Sequence, residues 1–78
     1  MTDTHSSADV NSLGSRLTQA CSCHEQGDSH RAEILYRDLI GPYPGSWQLH
    51  FNYGLLCDET GRYEEALENY FAGLAINP

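Results

Sequence analysis

Seventy-eight residues with a formal net charge of −7 make at most one small domain, and a chain this short buries only about 60% of its unfolded surface, which excludes a two-lobed enzyme. The positive charges are Arg16, Arg31, Arg37 and Arg62, with no lysine, so the basic footprint that a nucleic acid or an anionic membrane needs is missing. No stretch approaches the roughly 20 apolar residues of a membrane helix, and an odd count of three cysteines fits a reduced cytoplasm better than a disulfide framework.

Residues 1–8 are polar, without the basic start and apolar core of a signal peptide, and read as a disordered tail. The first helix is expected to start near Ser7 or Asp9, either of which can cap it. Val10, Leu13, Leu17, Cys21 and His24 then follow at helical spacing, with Gly14 as a weak point. Gly27 ends it in a left-handed conformation, and Asp28 or Ser29 caps the second helix. Ala32, Leu35, Tyr36, Leu39 and Ile40 form an i, i+3, i+4, i+7, i+8 stripe, the cleanest helical signal in the chain. Gly41-Pro42-Tyr43-Pro44-Gly45 cannot continue a helix, because proline lacks the N–H and biases the residue before it to extended geometry.

Ser46 caps the third helix. There Trp47, Phe51 and Leu55 line one face, Tyr53 and Cys57 a second, Leu49 and Leu56 a third, the pattern of a helix buried nearly all round. Gly61 closes it. The fourth helix runs from about Tyr63 to Ile76 and is expected to bury Ala66, Leu67, Tyr70 and Leu74, leaving Glu64, Glu65 and Glu68 in water.

The helices repeat. Gly27, Ala32, Tyr36, Ile40 and Pro44 recur 34 positions later as Gly61, Ala66, Tyr70, Leu74 and Pro78. Upstream, Ser12, Cys23 and Glu25 recur as Ser46, Cys57 and Glu59, with small Ala20 opposite small Gly54. Self-similarity at such a period marks stacked supersecondary units. The reading is all-α: four helices in two antiparallel helix-turn-helix hairpins, an α-solenoid fragment, with a tail at 1–8 and repeats at 9–44 and 45–78.

This resembles the tetratricopeptide repeat, whose pattern runs from a large residue through an aliphatic-small pair and an aromatic to Ala-x-x-x-aromatic and a closing proline. The second copy fills it with His50, Tyr53-Gly54, Cys57, Ala66, Tyr70 and Pro78, and the first with Arg16, Gln19-Ala20, Cys23, Ala32, Tyr36 and Pro44. Both copies depart from the preferred Trp, Leu and Tyr in their first half. The resemblance implies a concave groove lined by the first helix of each repeat, which receives a partner's peptide. Carried over by alignment, its positions are Leu17, Cys21 and His24, then Gln48, Phe51, Asn52, Leu55, Asp58 and Glu59. That surface is apolar at its floor and acidic toward one end. It lacks the lysines of the family's carboxylate-clamping members, and only Asn52 matches them.

Cys21-Ser22-Cys23-His24 carries zinc-ligand residue types. On a helix, however, residues 21 and 23 point about 200° apart, so one ion cannot take both. Cys23 and Cys57, matched across the repeat, read as small core hydrophobes. His50 reads as an interior packing residue with a satisfied ring nitrogen, and His5 and His30 as solvated. Glu64 and Glu65 suit a helix start, a stabilising role. No catalytic constellation, metal or cofactor emerges.

The expectation is a non-enzymatic scaffold that binds protein, with Phe51 and Leu55 as apolar anchors and Asp58 and Glu59 favouring a basic partner segment. The alternative is the N-terminal repeat region of a longer enzyme, such as a glycosyl- or sulfotransferase, a fusion the resemblance implies. Leu56, Phe71 and Leu74 are expected to want a neighbour. Either a continuation past Pro78 packs there, or two copies associate through that face, with exchange of a hairpin across the Gly41 to Gly45 loop as one route.

Overall fold

The computed structural model describes residues 12–78 and builds four α-helices from them: α1 (Leu13–Glu25), α2 (Ser29–Ile40), α3 (Trp47–Glu59) and α4 (Tyr63–Ile76). Among the described residues there is no strand. Helices α1 and α2 pack as one antiparallel hairpin and α3 and α4 as the other. Helix α3 also lies against α2 and touches α1, which joins the hairpins.

Each helix has a local reason to start. Ser12 takes an extended backbone (φ −75°, ψ 160°), and its Oγ accepts a hydrogen bond from the Ser15 N–H at 3.2 Å. Asp28 Oδ1 accepts from the Arg31 N–H at 3.2 Å, and Ser46 Oγ from the Leu49 N–H at 3.3 Å, each satisfying a first-turn donor. Helix α1 therefore begins at Leu13; the expected start at Ser7 or Asp9, Val10 and the tail at 1–8 lie outside the described residues. Helix α4 follows Arg62, which makes no side-chain cap, and Glu64 and Glu65 in its first turn supply the negative charge that its N-terminus favours.

The hairpin turns repeat bond for bond. Gly27 (φ 84°) donates to the His24 carbonyl at 3.1 Å and Asp28 to Cys23 at 2.9 Å. Thirty-four residues on, Gly61 (φ 83°) donates to Asp58 at 3.1 Å and Arg62 to Cys57 at 2.8 Å. Only glycine takes that left-handed conformation without strain, and the paired bonds satisfy the last carbonyls of the preceding helix. Helix α2 stops differently. Gly41 stays right-handed at φ −58°, and it is Pro42, with no N–H to donate, that ends the ladder.

Small residues set how closely the helices approach. Ala20 and Ala32 are fully buried in the first hairpin, and Ala66 is 3% exposed in the second. At Gly54 a Cβ would stand 2.7 and 2.8 Å from two ring carbons of Tyr70 and 3.3 Å from the Ala66 carbonyl, so α3 and α4 pack this tightly only because position 54 is glycine. The remaining core, Tyr36, Leu39, Leu49, Tyr53, Leu56 and Cys57, lies where α3 meets α2 and α4.

Three expectations need correction. Helix α3 is not buried all round: Leu49, Tyr53, Leu56 and Cys57 are enclosed by α2 and α4, whereas Trp47 and Phe51 are 37% and 46% exposed because none of the described helices covers their side. In α4, Ala66 is buried but Leu67 and Leu74 are 53% and 54% exposed, and Leu56, expected at the open face, is fully enclosed. Glu65 does not stay in water; it accepts from the Tyr53 hydroxyl at 2.9 Å.

Replacing Ala66 with leucine is expected to overpack the α3–α4 contact and cost about 1–3 kcal/mol. A urea unfolding curve with an unchanged midpoint would contradict this helix pairing.

Candidate functional site

The 34-residue offset places the first helices of the two repeats, α1 and α3, side by side over α2. Between them lies a depression of about 300 Å3 lined by Cys21, His24 and Glu25 from α1, Tyr36 from α2, and Asn52, Leu55 and Glu59 from α3. Five of the nine expected groove residues meet here: Cys21, His24, Asn52, Leu55 and Glu59.

Polar contacts tie this groove together. His24 Nε2 lies 2.7 Å from Glu59 Oε1, and its Nδ1 lies 3.2 Å from the Tyr36 hydroxyl. The neutral ring satisfies both neighbours in one tautomer, donating from Nε2 to the carboxylate and accepting at Nδ1. The single Tyr36 hydroxyl proton has a second acceptor within reach, Cys21 Sγ at 3.6 Å. Both ring nitrogens of His24 are therefore engaged with Tyr36 and Glu59, and neither is aimed at the Cys21 thiol. Burial raises the Tyr36 hydroxyl pKa well above the ordinary 10.0, and the neighbouring Cys21 raises it further, so the hydroxyl keeps its proton at neutral pH.

The other expected residues fall elsewhere. Leu17 packs half-buried against the core. Gln48 lines a shallow depression with Leu13 and the loop from Pro42 to Ser46. Asp58 is exposed, and its charge is felt at Tyr70, whose hydroxyl pKa is raised first by burial and then by Asp58 and Glu59. Phe51, one turn from Leu55, opens into a different space.

That second space adjoins the face of α4 expected to want a neighbour, through Leu74, although a cavity there was not expected. A cavity of about 380 Å3 between α3 and α4 is lined by Trp47, Phe51, Tyr70, Gly73, Leu74 and Asn77. The Phe51 and Tyr70 rings stand 5.8 Å apart at 47°, forming one wall. Gly73 lies at its edge, where an added Cβ would stand in ordinary contact, 3.4 Å from the Trp47 carbonyl. A sequence signal did exist: α2 carries charged Glu33 and Arg37 where α4 carries Leu67 and Phe71.

On the side away from the groove, a polar bridge spans the hairpins. Arg37 Nε donates to the Tyr53 hydroxyl at 2.8 Å, and that hydroxyl donates to Glu65 at 2.9 Å. Arg62 Nη1 donates to Glu33 at 2.8 Å, and Arg37 pairs with the same carboxylate at 3.1 Å.

Three cysteines are free: Cys21 and Cys23 partly buried, Cys57 enclosed. Among the described residues no group of three or more His, Cys, Asp or Glu could hold a metal ion, and no helix is long and apolar enough to cross a membrane. His50 is half-buried, with its ring nitrogens on Asn69 Oδ1 at 3.3 Å and the Pro44 carbonyl at 2.9 Å. Comparisons with known protein families, with curated proteins and with solved structures find no match.

The buried hydroxyls and thiol predict alkaline sensitivity. Burial raises Tyr36, Tyr53 and Cys57, each against an ordinary value of 9.0 or 10.0. Above those values the unfolded chain has released protons that the folded chain holds. Their contribution is thus complete below pH 9 and lost as pH rises, at about 1.4 kcal/mol per pH unit for each fully ionised group. Urea unfolding at pH 7 and pH 10.5 should show the fall, with a shallower slope in Tyr36→Phe. Equal stability at both pH values would contradict it.

Proposed function

We propose that this chain is a protein-binding module of the tetratricopeptide kind, which takes a partner segment into the groove between α1 and α3. The observation that carries the reading is the groove itself: Cys21 and Leu55 line it, Asn52 stands beside them, and Glu25 and Glu59 give it carboxylates. The repeated hairpin turns, identical in their hydrogen bonds at a 34-residue offset, support the family assignment. Leu55 is the apolar anchor, and Asn52 is placed to hydrogen-bond a peptide backbone. Glu25, Glu59 and nearby Asp58 favour a segment with basic side chains, in keeping with the net charge of −7. Free cysteines suit a cytoplasmic setting, where thiols stay reduced. The reading is of a scaffold and not an enzyme.

An NMR titration with two short extended peptides, one alternating leucine and arginine and the other leucine and glutamate, tests this. The arginine peptide should shift the amides of Asn52, Leu55 and Glu59, and Leu55→Ala should weaken it by about 1–3 kcal/mol. Shifts that avoid this groove, or equal binding of both peptides, would reject the reading.

A further inference from the structure

We propose that the outer face of α4, with the adjoining edge of α3, is a second docking site, built for a basic amphipathic helix from another protein. The chain itself shows what such a face accepts. In the first hairpin the corresponding face is covered: α3 lies on α2, and Leu49, Tyr53 and Leu56, one stripe at i, i+4 and i+7, are enclosed in the same core as Tyr36 and Leu39. Thirty-four residues later the pattern changes. Glu33, Arg37 and Ile40 of α2 correspond to Leu67, Phe71 and Leu74 of α4, each more than half exposed. Tyr36 is enclosed, whereas its counterpart Tyr70 remains partly open beside Phe51. The second hairpin thus presents to solvent the face that receives a helix in the first, with its bridging charges replaced by apolar side chains. The cavity over Gly73, about 380 Å3, has room for a large apolar side chain from such a helix.

Charge selects the occupant. At about 100° per residue, Glu64 and Glu68 border the stripe of Leu67, Phe71 and Leu74 on one side, and both are exposed. Asp58 and Glu59 act on Tyr70 from the end of α3. None of the four arginines lines the cavity. A second copy would bring another net charge of −7 against these carboxylates, whereas a helix with Lys or Arg beside its apolar stripe would complement them.

Trp47, the one tryptophan of the chain, lines this cavity, so its fluorescence reports occupancy. The probes are two helical peptides of about 16 residues with leucines at i, i+4 and i+7, one flanked by lysines and one by glutamates. The lysine peptide should saturate the Trp47 signal at roughly micromolar concentration. The glutamate peptide should bind at least about tenfold more weakly, with the gap closing in about 0.5 M salt. Leu74→Glu, at an exposed position, should keep the circular dichroism of the parent and weaken the lysine peptide about tenfold. Leu55→Ala, in the groove between α1 and α3, should leave that binding unchanged, separating this site from the first. Equal affinity for the two peptides, indifference to Leu74→Glu, or sedimentation showing a dimer that shields Trp47 would overturn the proposal.

Discussion

Tyr53 is the residue on which the arrangement depends. Its ring lies in the core 5.9 Å from that of Tyr36, while its hydroxyl accepts from Arg37 and donates to Glu65. One side chain on α3 therefore reaches α2 through apolar packing and both α2 and α4 through hydrogen bonds. The hydroxyl needs both partners, since a buried polar group without them costs more than the bonds gain. Around it, Leu39, Leu49 and Leu56 are enclosed, and Arg62 adds a second strut between Glu33 and Glu65. The two hairpins are held as one body by this seam, and the relative positions of α1 and α3, which shape the groove, follow from it.

What the seam does for the first hairpin, nothing in the described residues does for the second. A face that receives a helix on one repeat is repeated on the next, where none of the described helices covers it, and its charged positions have become apolar. The same α3 that fills the junction with Leu49, Tyr53 and Leu56 turns Trp47 and Phe51 outward. One helix therefore carries both a packed face, which holds the fold together, and an open face, which the described helices leave exposed.

Much of this architecture could be read from the residues. The turns were legible because Gly27 and Gly61 serve a backbone conformation that other residues resist, and the caps at Asp28 and Ser46 because their side chains meet first-turn N–H groups. The partial exposure of α3 was not legible, since an apolar residue looks the same whether or not something covers it. The split of Phe51 from Leu55 depends on how α4 packs against α3, where Gly54 allows the close approach, and periodicity does not encode it. The Arg37–Tyr53–Glu65 bridge joins residues 16 and 12 positions apart, beyond any local pattern.

Native-state hydrogen exchange resolved by residue tests most directly the claim that α3 is the shared core of a single body. The account predicts that the slowest amides lie in α3 near Tyr53 and Leu56 and in α2 near Tyr36 and Leu39, all opening with one common free energy. It would be contradicted if the α1–α2 hairpin and the α3–α4 hairpin opened independently, each with its own free energy.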